Sequence, residues 1–176
     1  TGVISKQDAL DFGFTGPCLR ACGVNLDLRK QKPYWAYDQL KFEVALGKNG
    51  DNYDRYLIRV KEIAESISLI RQALDKMPEG PVIIDDRRIA LPPKDEVYGT
   101  IEGVMAHFKL IMEGIQVPVG EVYDATEAAN GELGWYLRSD GSGRPYKVHV
   151  RAPGFHILSG VGKMIEGRML ADLIPT

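Results

Sequence analysis

The sequence predicts an α+β fold, helical-bundle segments joined to a small antiparallel three-stranded sheet. Three observations carry this. Residues 51–77 and 96–114 place apolar side chains at helical spacing. From residue 120 the pattern drops to a strand period of two. Within that stretch Asn130-Gly131 and Asp140-Gly141 are strong turn dipeptides.

Residues 1–50 read as mixed loop, with a short helix over 6–12 and turns at Gly13, Gly16-Pro17 and Gly23. "LKFEVAL", from Leu40, alternates in character and predicts an edge strand. Asp51 is placed to cap the first long helix, with Asp54 in the favourable first turn. The stripe of that helix is Tyr53, Tyr56, Leu57, Val60, Ile63, Ala64, Ile67, Ile70 and Leu74, and it is expected to face apolar neighbours. Met77-Pro78 and Gly80 end it.

After the stiff Pro92-Pro93 break, Val97, Ile101, Val104, Met105, Phe108, Ile111 and Met112 mark one second helix over 96–114. Residues 51–115 thus form two bundle helices. "EVYDATEA", "ELGWYLRS" and "PYKVHVRA" are three strands joined by two tight turns, making antiparallel hairpins over 120–152. Pro153-Gly154 stops the last strand, and a helix is expected over 160–174.

The chain has 176 residues, 44% hydrophobic and 26% charged, enough for a real core. A net charge of −2 argues against a generally basic nucleic-acid binder. No apolar run is long enough to span a bilayer, and the first residues lack a signal-peptide profile. Both ends are abrupt, which predicts a piece of a longer polypeptide.

Ser139 and Asp140 sit where a hairpin needs small polar residues, and no histidine stands in a relay position, so they read as turn formers. His149, between Lys147 and Arg151 on a polar strand face, and His156 read as solvent- or partner-facing. His107, beside the apolar stripe, reads as a core or interface histidine. Cys18 and Cys22 would share one helical face as two partly buried thiols, without further ligands for a metal. Arg55 and Arg59 also share a face and repel unless an anion lies between them. A solvated face with capping acids, or an arginine clamp on a partner's carboxylates, both fit. "GSGRPYK" runs from strand to strand, and "GVGKMIEG" lacks the Ser or Thr after Lys163, so direct NAD or ATP binding is not expected.

"TGPCLRACGVNLDLRKQKPYWAYD", "NGDNYDRYLIRVKEIAESI", "EGVMAHFKLIMEG", "GELGWYLRSDGSGRPYKVHVRAPGF" and "GRMLADLIPT" resemble the C-terminal half of the D-type subunit family of NADH-quinone oxidoreductase. This is the quinone-site subunit of respiratory complex I, related to the large subunits of nickel-iron hydrogenases. The resemblance implies part of a hydrogenase-large-subunit-like fold. It also implies a peripheral-arm role, in which NADH is the distal electron donor. Electrons pass from an iron-sulfur cluster in a neighbouring B-type subunit to quinone held between the B-type and D-type subunits, coupled to proton translocation. B-type and C-type subunits of the same complex are the implied partners, and no cofactor is expected on this chain itself. The implied location is the cytoplasmic side of a bacterial inner membrane or the matrix side of the mitochondrial one.

The family's quinone-headgroup tyrosine and histidine belong to its N-terminal part, so no catalytic residue is carried over. Neither is a metal ligand, because the Cys-x-x-Cys pairs of the hydrogenases are missing. The resemblance instead suggests cavity-wall or subunit-interface roles. Near the start these fall to Arg20 and the Arg29-Lys30 pair, then to Asp54, Arg55 and Arg59 on the first helix and His107 on the second. In the hairpin region they fall to Ser139, Asp140, Arg144, Tyr146 and Arg151, followed by Pro153 and Phe155. Arg138 stands where the family pattern is usually apolar. A membrane-bound nickel-iron hydrogenase-like large subunit, or a non-catalytic scaffold derived from one, is the alternative reading.

Overall fold

The computed structural model describes residues 1–176, which divide into two compact units. The first comprises Thr1–Met77, Asp124–Gly134 and Val150–Thr176, and the second Pro78–Tyr123 and Trp135–His149.

The first unit opens with α1 (Lys6–Asp11), capped by the Ser5 hydroxyl, which accepts from the Asp8 N–H at 3.1 Å. Next comes α2 (Gly16–Ala21), with Pro17 in its first turn and every residue buried. The core gathers Ile4, Ala9, Phe14, Cys18, Leu19, Cys22 and Met164. Met164 comes from α7 (Pro153–Ile165). Only a glycine fits at position 160 of that helix, because a Cβ there would lie 2.6 Å from the Phe14 ring. After α3 (Leu28–Gln31) and a 3-10 turn at Tyr37–Gln39 comes α4 (Asn52–Asp75), whose N-cap Asp51 accepts from the Asp54 N–H at 2.8 Å.

Three expectations fail in this unit. Residues 40–46 form no strand. Their peptide groups instead bond to polar side chains of α4. The Gln72 amide accepts from the Lys41 N–H at 2.9 Å and donates to the Lys41 carbonyl at 2.7 Å, as a neighbouring strand would. Glu65 accepts from the Glu43 N–H at 3.3 Å.

Secondly, the apolar stripe of α4 does not face the core. Tyr53, Tyr56, Val60, Ile63, Ile67, Ile70 and Leu74 are 46% to 64% exposed, and the inward face carries Arg55, Ile58, Glu62 and Leu69. Thirdly, the last helix is α7, not a helix over 160–174. Pro153, which ends the strand, is buried in the first turn of α7, where its missing N–H is no loss. Gly167 adopts φ +72° after it, and only a 3-10 turn, Leu170–Leu173, follows.

In the second unit the single helix expected over 96–114 is two, α5 (Lys94–Gly99) and α6 (Ile101–Met112). Thr100 is extended between them, and its hydroxyl caps α6 by accepting from the Gly103 N–H at 3.0 Å. The backbone carbonyl of Glu96 passes so near Gly103 that a side chain there would collide with it. Apolar periodicity runs through the break because Val97 and Ile101 happen to keep phase.

The sheet is three-stranded, ordered β1 (Gly120–Ala128), β2 (Gly131–Ser139), β3 (Lys147–Arg151), with strands contributing to both units. The first turn lies at Ala129-Asn130, one residue before the predicted Asn130-Gly131, because Gly131 already opens β2, and residues 140–146 form a longer connection than the second tight turn predicted. No helix is long and apolar enough to cross a membrane.

Candidate functional site

The first unit contains a cleft of about 500 Å³ lined by Arg20, Arg29, Tyr37, Arg59, Glu62 and Glu127 among others. Arg20 is its floor, held on the fully buried α2. The Arg20 Nη1 donates to Glu127 Oε1 at 2.7 Å and to the Leu26 carbonyl at 2.9 Å, with Asp27 3.9 Å away. Its Nε and Nη2 converge on Glu62 Oε1 at 2.9 and 2.8 Å. A buried cation needs such matching, because an unpaired one would lose several kcal/mol of hydration. The other Glu127 oxygen accepts from the Leu28 N–H at 3.2 Å, so the start of α3 is tied to the same knot. The Glu127 N–H donates to the Tyr34 hydroxyl at 3.0 Å.

Asp27 caps α3 and takes the Arg29 fork at 2.7 and 3.0 Å. Burial works against its charge, but the Arg29 bonds and the nearby Arg20 prevail and hold its carboxyl below the usual range. Burial dominates at Glu62 and pushes its carboxyl up despite Arg20. Arg29 and Lys30 both lie over the Phe42 ring, at 4.8 and 4.2 Å from its centre.

Of the predicted residues, Arg20, Arg29 and Arg59 are brought to one cleft, and Lys30 stands beside it on Phe42. Arg55 is turned away from Arg59 into a buried position, donating to the carbonyls of Gly50 at 3.0 Å and Gly2 at 2.7 Å and to the Asn52 side chain. Burial pulls its pKa down. Asp54 accepts from the N–H groups of Asn49 at 2.7 Å and Lys48 at 2.8 Å, which lower its pKa and pin that loop to α4. Arg151 donates to the carbonyls of Glu132 and Gly13, both at 3.1 Å. Phe155 is exposed on α7. Cys18 and Cys22 are both buried, more deeply than expected, and burial raises the Cys22 thiol.

The remaining predicted residues lie in the second unit. Ser139 donates to the Val117 carbonyl at 2.9 Å and accepts from the Gly141 N–H at 3.1 Å, while Asp140 accepts from the Ser142 N–H at 3.0 Å. Both are connection formers, as their residue types suggest. Tyr146 is exposed, with Arg138 over its ring at 5.3 Å. Arg144 is exposed on the same connection, and His107 is half-buried on α6.

Asp27, Glu62 and Glu127 complete the ion-pair cluster around Arg20, and the sequence reading misses them. The available signal is chemical rather than positional: an arginine inside an otherwise apolar helix such as α2 requires carboxylates. Nothing in the spacing says which ones. Chemically, the cluster locks charges in place. Each carboxylate of the cluster is engaged by an arginine, so the arrangement supplies rigidity.

The family model for the 49 kDa subunit of respiratory-chain NADH dehydrogenase matches residues 1–176. The chain is 70% identical over 176 residues to the D-type subunit of the NADH-quinone oxidoreductase of Myxococcus xanthus strain DK1622, covering 42% of that protein. It is 60% identical to a D-type subunit, the one numbered 1, of Anaeromyxobacter dehalogenans strain 2CP-C, covering 41%. It is 56% identical over 173 residues to the C/D-type subunit of Bdellovibrio bacteriovorus, covering 31%. The chain thus spans less than half the length of these relatives. They favour the D-type resemblance over the hydrogenase-like alternative.

Proposed function

This chain belongs to the family of the 49 kDa subunit of respiratory-chain NADH dehydrogenase, and on that premise we propose that it builds part of a D-type wall beside a quinone-reducing site. In this reading NADH is the distal donor and an iron-sulfur cluster on a B-type subunit passes electrons to quinone, coupled to proton translocation. A C-type subunit is a further neighbour. The location is peripheral, on the cytoplasmic side of a bacterial inner membrane or the mitochondrial matrix side. The chain's own residues supply shape. Arg20, Glu62, Glu127 and Asp27 hold α2, α3, α4 and the β1 end in register.

The observation that carries this reading is the engagement of buried Arg20 by Glu62, Glu127 and the Leu26 carbonyl, all groups of its own unit. A residue so held stiffens a wall. The test is Arg20→Ala in the full enzyme. Assembled enzyme and NADH:quinone turnover should fall in parallel, with turnover per assembled enzyme retained. Normal assembly with turnover lost would instead give Arg20 a direct part in the reaction, and wild-type behaviour in both would remove it from the wall.

A further inference from the structure

The second unit holds a groove of about 430 Å³ between residues 115–122 and the connection that follows β2. Its floor is apolar, formed by Ile115, Val117, Pro118, Val122, Leu137 and Pro145. Four of these, Ile115, Val117, Val122 and Leu137, are 38% to 55% exposed. Main-chain contacts set its walls. A Cβ on Gly114 would strike the Gly143 carbonyl, and one on Gly143 would strike the Glu113 carbonyl. The Ser139 hydroxyl donates to the Val117 carbonyl at 2.9 Å and accepts from the Gly141 N–H at 3.1 Å. The groove is therefore preorganised, which lowers the cost of filling it.

The four arginines of this unit divide by their pairing. Arg87 meets Glu96 at 2.6 Å and Arg88 meets Asp86 at 2.7 Å. Arg138 and Arg144 have no carboxylate within ion-pairing distance, and these are the two that line the groove. The Tyr146 ring, 5.3 Å from the Arg138 guanidinium, steadies that cation without neutralising it. Glu121, the carboxylate along the groove, accepts instead from the Tyr136 hydroxyl at 2.6 Å. Asp140, on the adjoining connection, accepts from the Ser142 N–H at 3.0 Å. An apolar floor beside two uncompensated guanidiniums is complementary to an apolar side chain with a carboxylate next to it.

We propose that the groove docks a short acidic segment of a neighbouring subunit, with one apolar side chain seated on Val117 and Leu137 and a carboxylate held by Arg138 and Arg144. Charge complementarity selects the occupant. An anionic membrane surface is drawn to clusters of about four to eight basic residues, and two arginines beside a concave groove fall short of that. A carboxylate matches the planar guanidinium fork, and the groove gives the residue beside it an apolar seat. The inference deepens the wall reading and rests on it, naming a contact that joins the wall to a neighbour.

The test uses the assembled enzyme, with a photo-reactive phenylalanine analogue in place of Val117. The expected cross-link runs to another subunit, at a segment with an Asp or Glu among the immediate neighbours of the captured residue. A cross-link within the same polypeptide or to lipid, a captured segment lacking that carboxylate, or no cross-link would overturn the proposal. As an independent measure, Arg138→Glu and Arg144→Glu should each raise release of the captured subunit in high salt about two- to fivefold, the range of an exposed ion pair. Converting the captured carboxylate to Arg in either variant should reverse the effect. Unchanged release, or no reversal, would overturn the pairing. A cross-link within the same polypeptide, with assembly and turnover still falling together in Arg20→Ala, would sink this inference and leave the wall reading standing. Arg20→Ala enzyme that assembles normally yet loses turnover would sink the wall reading itself.

Discussion

The Arg20 guanidinium meets the Glu127 carboxylate at 2.7 Å, with the two side chains 1% and 4% exposed. One partner sits on a helix near the start of the chain and the other on β1, 107 residues later. Arg20→Ala would strand Glu127 and Glu62 together, and breaking a buried pair costs about 3–5 kcal/mol. Denaturant unfolding of the full-length subunit should show that loss. Arg20→Lys should recover only part of it, because an ammonium cannot reproduce the fork onto Glu62 and Glu127.

The same cluster sets a pH response. Asp27 has a folded pKa held below its ordinary 3.8, so its ionised form stabilises the fold. That contribution is complete above its unfolded pKa and fades as pH falls through the folded value, below about pH 4. Glu62 has the opposite sign. Its raised pKa means that stability is lost as pH climbs from the ordinary carboxylate value to the folded one. Asp27→Asn should therefore destabilise at pH 7, whereas Glu62→Gln should be close to neutral. Thermal melts of both variants at pH 4 and pH 7 would check this.

Gly16 and Gly131 form a contact that admits no side chain on either residue. Each has positive φ, +66° and +127°; a Cβ on Gly16 would collide with the Gly131 backbone, and one on Gly131 with Thr15 and, at 3.0 Å, press on the Gly16 nitrogen. The Thr15 hydroxyl accepts from the Glu132 N–H at 3.0 Å beside them. Gly131→Ala should cost about 1–3 kcal/mol through backbone strain and overpacking. Unfolding midpoints of the variant and wild type decide it.

The exposed apolar stripe of α4 predicts self-association of these 176 residues when produced alone, since copies can cover one another's apolar faces. Light scattering should give a mass above the 19.5 kDa monomer, rising with concentration. A monomer at high concentration would contradict the exposed stripe.

The thiols should be slow to react. Both cysteines are buried and burial raises Cys22, which lowers its thiolate fraction at neutral pH. Labelling with an aromatic disulfide reagent should be sluggish in buffer and rapid in guanidinium chloride.

Local signals are legible in the sequence where they are self-contained. Asp51 caps α4, and the first hairpin turns within one residue of the Asn130-Gly131 signal, each decided within a few residues. The extended run at 40–46 is not legible, because alternation describes side chains and says nothing of what bonds the backbone, here Gln72 and Glu65. The break at Thr100 is hidden because apolar phase persists across it, although the capping threonine and Gly103 stand in the sequence.

By itself the sequence determined the helical period of α4, the strand period from residue 120, and the family words that place the chain among D-type polypeptides of NADH-quinone oxidoreductase. It also singled out Arg20 and Arg59 among the basic residues. Only the tertiary structure decided that one arginine is sealed against three carboxylates while the other keeps a free side toward an uncovered apolar stripe. The reason is physical. Periodicity specifies that a helix has two faces, but which face turns inward depends on contacts between residues far apart in the chain, and those exist only once it has folded.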